Sequence, residues 1–302
     1  MPFSIRPERS FKSEFHKVAK RQLRHAIDVL EQQPSGLDEA IHEARKRLKR
    51  VRSLYRLVSR EKPKFFVREN ARLRKIARSL SSLRDAAALV ETARYLHERA
   101  RDNEEAASID RIVAALTARR DQISSTRTDP AETATDAVAA LRKAGKALDD
   151  ISFKGGHRRH GKMLAKGWDD TIRRARRALT ACEGKASAEA FHTLRKRTQD
   201  YRACHLLLHP LWPAAMTAKY NAASGLIELL GRVCDLELLC DLVETEHHHF
   251  ENADDLAHLL YAIIFHQQHD RHDALLRAED IFGVDADDEA TRIELLWIAF
   301  GG

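Results

Sequence analysis

Cationic side chains recur at helical spacing after His42. On an α-helix, five cations fall within about 80° of His42, and a set of apolar side chains falls on the opposite side. The cations are Arg45, Lys46, Lys49, Arg52 and Arg56, and the apolar set is Ile41, Ala44, Leu48, Val51, Tyr55 and Val58. Like charges three or four residues apart repel by a few tenths of a kcal/mol per pair, and only Glu43 is nearby to offset this. We therefore expect this face, the first basic stripe, to bind an anion.

A weaker copy of the stripe follows 150 residues later. IHEARKRLKRVRSLYRL at 41–57 aligns with FHTLRKRTQDYRACHLL at 191–207. The aligned pairs include His42/His192, Arg45/Arg195, Lys46/Lys196, Arg47/Arg197 and Arg52/Arg202. Gln199 replaces Lys49 and Leu206 replaces Arg56 in this second basic stripe, while Asp85 and Asp235 match at the same offset. The repeat predicts a duplicated unit, and two halves packed face to face would line one channel with both stripes.

Neighbouring helices carry further candidate contacts. Cations occupy the polar sides of the helices that precede each stripe: Lys17, Lys20 and Arg24 in the first half, and Lys166 and Arg173 in the second. Arg84 falls within the apolar arc of its predicted helix. It either extends into a polar interior between helices, or turns outward if the helix breaks at Asp85.

The elements that position these residues are predicted to be helices throughout. The apolar residues are mostly Leu and Ala, and 12 Gly and 7 Pro in 302 residues leave few turns, a composition that favours helices over strands. After a first helix that ends before Pro34, periodicity predicts helices over 37–60, 64–84, 85–101, 103–124 and 134–148. The paired glycines in 152–162 predict a linker, although that segment is also basic. The expected fold is all-α: one unit over 1–302, with bundles of about four helices over 1–151 and 152–302.

Charge is distributed unevenly around a net value of +7. Residues 1–84 hold 23 Lys/Arg and 9 Asp/Glu, whereas residues 240–302 hold 3 Lys/Arg and 15 Asp/Glu. Concentrated positive charge of this kind indicates a polyanionic partner, and the acidic segment could either partly neutralise the basic one or keep the molecule soluble. No run of 18 apolar residues, no signal-peptide pattern and no disulfide framework is present, so the expected location is cytoplasmic, without membrane contact.

Three other functions compete with simple anion binding. A nucleic-acid binder is compatible with the charge, but the stripe lacks interleaved aromatics and groove-reading motifs, so this is the less favoured partner. A metal site could use His247–His249 or His266, His269 and His272. Residues i and i+6 lie about 120° apart on a helix, so exposed histidines and no metal or cofactor are expected.

An enzyme that cleaves such a polyanion would need metal-binding carboxylates beside the cations. The basic helices carry few acids, and no Walker A loop or nucleophile motif is present. The acid-rich segment is predicted to pack through apolar residues, which are Leu256, Leu259, Leu260, Ile263, Ile264 and Trp297. We therefore expect binding without catalysis.

The pattern H-x-x-R-K-x-x-K-x-x-R from His42, duplicated in a helical chain of this length, resembles the CHAD domain, the conserved-histidine α-helical domain. The Arg84-Asp85 step before an apolar run is similar to that family's second signature. The resemblance implies two four-helix bundles about a pseudo-two-fold axis, with a basic surface and a central pore. It also implies binding of inorganic polyphosphate and association with polyphosphate granules and their proteins.

Carried over by position, the family's basic signature falls on both stripes. In the first half it comprises His42, Arg45, Lys46, Lys49 and Arg52, and in the second half His192, Arg195, Lys196 and Arg202. Gln199 and Cys234 depart from the pattern, so the first half is expected to dominate binding. Polyphosphate suits such stripes because Lys offers mobile charge, Arg forks onto two oxygens, and His gains charge when a phosphate is near.

Overall fold

The computed structural model describes residues 3–80, 85–126, 130–184, 186–246, 250 and 252–300. Within these ranges it contains α-helices and one short 3-10 helix, His209–Leu211, and no strand. The α-helices are α1 Phe11–Gln32, α2 Leu37–Leu57, α3 Pro63–Ser79, α4 Asp85–His97, α5 Asn103–Thr126, α6 Pro130–Lys146, α7 His157–Thr180, α8 Ala188–Leu207, α9 Pro213–Thr245, α10 Ala253–Phe282 and α11 Ala286–Ala299. The all-α prediction is confirmed, and no described helix combines the length and apolar character needed to cross a membrane.

Helix ends follow the turn residues in part: α3 ends at Ser79 rather than at 84, α6 begins at Pro130 rather than at 134, and the segment before α7 also differs from the prediction. α1 ends where Gln33 takes a left-handed conformation (φ 44°), ahead of Pro34. The predicted linker over 152–162 is helical from His157 onward, so only 152–156 connects α6 and its following turn to α7. Gly155, with φ 91°, bends the chain directly before α7, and the basic residues from His157 onward belong to the first turns of α7.

The larger hydrophobic core combines both halves of the chain. It is built from α1, α2, α3, α6, α7, α8 and α11 together with parts of α9 and α10. The apolar side of α2 is buried as predicted: Ile41, Ala44, Leu48, Val51, Tyr55 and Val58 are each at most 2% exposed. Burial of this side fixes the rotation of α2 and therefore the direction of the first basic stripe.

A smaller core lies where α4 and α5 pack against the end of α9 and the start of α10. Leu259 and Ile263 of α10 are buried there, whereas Ile264 is 52% exposed, so the prediction that Ile264 packs is wrong. Ile264 is one residue, or about 100°, beyond Ile263, which turns it to the solvent side with Tyr261 and Phe265. α9 and α10 run through both cores and join them.

The helix order is compatible with the proposed repeat. α3 and α9 both begin at a proline, Pro63 and Pro213, which are 150 residues apart. α9 continues over the positions that α3 and α4 occupy in the first half. The described residues contain six α-helices in the first half and five in the second, compared with the predicted four or so. Pseudo-symmetry between the halves stays a prediction.

Candidate anion-binding site

The first basic stripe faces α3 and α8. Arg52 Nε donates a hydrogen bond to Asn70 Oδ1 of α3 over 2.9 Å. Arg56 Nε lies 2.8 Å from Asp200 Oδ2 of α8, and the Ser53 hydroxyl donates to the other oxygen of Asp200 over 3.0 Å. Because the apolar side of α2 is buried, its cations are directed at the interface between the halves. Arg45 ends at the carboxyl end of α3, where it donates to the Leu80 carbonyl.

Five arginines from four helices form a group that we call the central arginine cluster; four of them act with Asp200, and the fifth, the exposed Arg74, acts on Arg52. They are Arg52 and Arg56 of α2, Arg74 of α3, Arg174 of α7 and Arg197 of α8. Arg197 Nη1 lies 3.5 Å from Asp200, and the charges of Arg56 and Arg197 act on both Arg52 and Arg174. The neighbouring carboxylate, Asp170, is itself engaged by Arg60. Positive charge therefore exceeds negative charge in this cluster.

The pKa values reflect that excess. Burial lowers the pKa of Arg52 to about 10 against the attraction of Asp200, and the like charges of Arg56, Arg74 and Arg197 add to the lowering. Burial followed by the charge of Arg56 also lowers the pKa of Arg174. A guanidinium whose charged form is disfavoured gains most when an anion arrives, because the anion opposes both effects. The chemistry that the cluster supports is multidentate binding of oxyanions.

The two stripes meet at their exposed edge. Partial desolvation lowers the pKa of His192, and the positive charges of Lys196, Arg195 and Lys49 lower it further. Lys196 pairs with Glu189 over 3.1 Å, and Arg195 lies 3.7 Å from Asp235, so acids offset part of the second stripe. Lys46 pairs with Glu43 over 3.3 Å. The charge of Lys49 on α2 therefore acts on His192 of α8.

Arg202 lies elsewhere on α8. Its guanidinium carbon sits 5.6 Å from the centroid of the Tyr220 ring on α9, and its charge contributes, after burial, to the lowered pKa of Arg50. Tyr220 follows Arg202 by 18 residues, as Asn70 follows Arg52. Arg202 thus packs on its following helix as Arg52 does, but its charge acts on Arg50 rather than on the central arginine cluster.

The remaining predicted contacts occupy other positions. Lys20 pairs with Asp149 over 2.5 Å, and Arg173 pairs with Asp169 and with Asp287 of α11, so both have intramolecular carboxylate partners. Lys17, Arg24 and Lys166 lie on exposed sides of α1 and α7, and His42 and Arg45 are half-buried on α2. Arg84 lies outside the described residues.

The histidines form no metal site in the part of the chain that the structure describes, where no group of three or more potential ligands occurs. His269 and His272 are exposed as predicted, while His266 is partly buried against Tyr95 and Phe265. His247–His249 lie outside the described residues.

Sequence reasoning missed three members of the cluster: Arg74, Arg174 and Arg197. Each lies on a helix face that joins the cluster only when α3, α7 and α8 pack on α2. Two signals were present. Arg197 is the aligned match of Arg47, and α3 carries six cations (Lys64, Arg68, Arg72, Arg74, Lys75 and Arg78) against the single acid Glu69.

The chain is an all-helical protein in which half-buried arginines of both halves lie close together around α2 and α8. The CHAD domain family model matches residues 18–244, and the chain belongs to the CHAD domain family. This confirms the resemblance seen at His42 and Arg84-Asp85. The crystal structure of the CHAD domain from the plant Ricinus communis is similar, with a TM-score of 0.59 and 15% identity, over 97% of this chain and 94% of that chain. That likeness supports the fold alone, and a comparison with curated proteins found no match.

Proposed function

We propose that this protein binds inorganic polyphosphate without turning it over, through the central arginine cluster and the exposed cations beside it. The observation that carries the proposal is the cluster itself: five guanidinium groups that share one carboxylate, Asp200, with the charge of Arg74 acting on Arg52 and the pKa of Arg52 lowered to about 10. Membership of the CHAD domain family supports the same ligand. The central pore implied by the resemblance stays a prediction. At the level of Ser53 and Asp200, α2 and α8 are in direct contact.

Polyphosphate matches this arrangement in charge and in shape. It offers repeated oxyanions and no bases, so a site needs forked donors rather than aromatic stacking surfaces. Arg52 and Arg74 supply such donors from α2 and α3, and Lys49 supplies a mobile charge at the exposed edge. Bound phosphates would neutralise the repulsion that the cluster carries when it is empty.

The decisive experiment is a polyphosphate titration of the wild type and of Arg52→Gln/Arg74→Gln. Each lost charge-assisted contact costs roughly 1.5–3 kcal/mol, so the double variant should bind about 100-fold more weakly or worse. Lys12→Gln/Arg176→Gln, which removes two exposed cations from α1 and α7, is the charge-matched control. Equal affinity of both variants, with intact helical circular dichroism, would exclude the cluster as the binding site.

Nucleic acid remains the alternative polyanion. Competition of polyphosphate against single- and double-stranded DNA at equal phosphate concentration separates the two ligands. We expect polyphosphate to displace DNA, since the stripes lack interleaved aromatic residues. Preferential binding of DNA would overturn the proposal.

Granule association and the absence of catalysis belong to the same proposal. A fluorescent fusion should collect on granules in cells that accumulate polyphosphate and stay diffuse in the cytoplasm of cells that do not. Purified protein with added magnesium or manganese should release no phosphate from polyphosphate, because acids are scarce beside the cations. Release above the buffer rate would instead identify an enzyme.

A further inference from the structure

A basic cleft opens at the start of α3, apart from the central arginine cluster. It has a volume of about 350 Å³ and is lined by Lys62, Lys64, Phe65 and Arg68 together with Asp150, Ile151 and Ser152. We propose that this cleft is a second phosphate site, which holds the terminal phosphates of a polyphosphate chain. The identity of the ligand rests on the proposed function, whereas the site itself rests on the residues around the cleft.

The lining carries more positive than negative charge. Lys62 and Lys64 have no carboxylate within 4.0 Å among the described residues, and Lys62 Nζ lies 5.7 Å from the centroid of the Phe153 ring. Arg68 Nε donates to Glu69 over 2.7 Å, but Glu69 is buried and also accepts from Arg72 over 2.7 Å. The acid in the lining is Asp150, which is exposed. Three cations therefore face the cleft with one carboxylate.

The backbone adds to this positive potential. α3 begins at Pro63, and its N-cap residue, Lys62, makes no side-chain capping bond. The first turn contains no acidic residue, and the early N–H groups of a helix lack intrahelical acceptors. Such a helix start is usually satisfied by a Ser, Thr, Asp or Asn side chain, yet here lysines occupy it. An oxyanion in the cleft would accept hydrogen bonds from the lysine side chains and would interact favourably with the positive end of the α3 dipole.

The basic connection between the halves borders the same cleft. Ile151 and Ser152 line it, Phe153 lies under Lys62, and Arg159 pairs with Glu61 over 3.1 Å. One cation of the predicted linker segment, Arg159, therefore lies beside Glu61, the residue that precedes Lys62 of the cleft.

Exposed cations on α3 connect the two sites. Lys64 at the cleft and Arg74 at the central arginine cluster are ten residues apart, or about 15 Å along the helix. Arg68 and Lys75 are exposed on the same helix. The equivalent part of α9, residues 213–231, contains the single cation Lys219, which pairs with Glu289. The path for a bound chain is therefore one-sided and follows α3.

The test is lysine acetylation of the full chain, read by mass spectrometry, with and without tripolyphosphate. Lys62 and Lys64 should be protected at least threefold, while the exposed Lys12 on α1 should react at an unchanged rate. The same protection should persist in Arg52→Gln/Arg74→Gln, because the cleft lies apart from the cluster. Unchanged acetylation of Lys62 and Lys64 in wild type that binds long polyphosphate would overturn the cleft and leave the proposed function standing.

A matched pair of variants gives a second measurement. Lys62→Gln/Lys64→Gln should bind tripolyphosphate about tenfold more weakly, since roughly 1.4 kcal/mol corresponds to tenfold. Lys12→Gln/Arg176→Gln should bind it as the wild type does, and circular dichroism reports whether each variant is folded. Protection of Lys62 and Lys64 by tripolyphosphate without any binding of long chains would support the cleft and overturn the proposed function. Equal tripolyphosphate affinity of both variants would exclude the cleft.

Discussion

At the scale of single residues, Asp200 is the counter-charge of the central arginine cluster. It lies 2.8 Å from Arg56 Nε, accepts a hydrogen bond from Ser53 and is 9% exposed. Removing one partner of a buried ion pair leaves the other charge uncompensated. The single carboxylate therefore holds the empty site together, while bound phosphates would take over part of its role.

We predict that Asp200→Asn destabilises the ligand-free protein by about 3 kcal/mol. Polyphosphate should then raise the melting temperature of Asp200→Asn more than that of the wild type, because the anion supplies the missing negative charge. Thermal melts at low salt measure both effects. Glu189→Gln, which breaks the exposed pair with Lys196, is the control and should cost under about 1 kcal/mol. An equal gain from polyphosphate in the wild type and Asp200→Asn would contradict the role of the cluster.

His192 should link binding to pH. Desolvation and the charges of Lys196, Arg195 and Lys49 lower its pKa below the ordinary value, so the imidazole is neutral in the empty protein at pH 7. A bound phosphate favours the charged form and raises that pKa, so binding takes up a proton. Affinity should therefore rise as pH falls from about 7.5 to 5.5. The pH dependence should be smaller in His192→Gln, and identical pH profiles of the two proteins would show that His192 does not contact the ligand.

At the scale of elements, the packing of α2 against α7 depends on a glycine. A Cβ at Gly167 would lie 2.0 Å from the Leu57 carbonyl oxygen at the end of α2, closer than any side chain tolerates. This approach joins the carboxyl end of the first basic stripe to α7, the helix that supplies Arg174. Gly167 therefore sets how closely α7, and with it Arg174, approaches α2.

Gly167→Ala should destabilise the fold by about 3 kcal/mol, since backbone atoms must move to admit the methyl group. Gly145→Ala in α6 is the matched control, because nothing lies within 4 Å of the added Cβ and the change should stabilise the helix by about 0.5–1 kcal/mol. Denaturant unfolding of both variants measures the difference. A Gly167→Ala variant as stable as the wild type would mean that the helices do not approach this closely in solution.

Helices and their buried sides were predictable because they depend on spacing within one segment. The prediction that the apolar side of α2, from Ile41 to Val58, is buried was correct, and so was the predicted end of α1 ahead of Pro34. The cluster was only half predictable. Arg52 and Arg56 share a helix with His42, whereas Arg74 and Arg174 join them through the packing of α3 and α7, which no local pattern encodes. The prediction for Ile264 was wrong because this residue lies at the edge of the apolar arc of α10. A rotation of about 100° around the helix axis separates it from the buried Ile263.

At the scale of the whole molecule, the described part of the acidic segment forms its ion pairs with Lys and Arg away from the basic one. Within the described residues, five carboxylates of 240–302 form ion pairs with Lys or Arg. All five partners lie outside residues 1–84. The pairs are Glu246–Arg119, Asp255–Arg111, Asp270–Arg232, Asp287–Arg173 and Glu289–Lys219. Asp149, Asp200 and Asp170 pair with Lys20, Arg56 and Arg60, so most but not all of the excess of 23 Lys/Arg over 9 Asp/Glu in residues 1–84 remains to act on a polyanion.

This asymmetry predicts which charges control the salt dependence of polyphosphate binding. By analogy with nucleic acids, each cation that displaces a counterion adds roughly 0.7–0.9 to the slope of log K against log salt. Lys46, Lys49, Arg74 and Lys75 are exposed on α2 and α3, and their joint change to Gln should reduce the slope by about 3.

A second variant changes four exposed cations of the second half to Gln: Lys162, Arg176, Arg277 and Arg292. It alters the net charge equally, so it should lower the affinity slightly and leave the slope almost unchanged. Equal slopes in the two variants would mean that polyphosphate responds to the net charge of the molecule rather than to the face formed by α2 and α3.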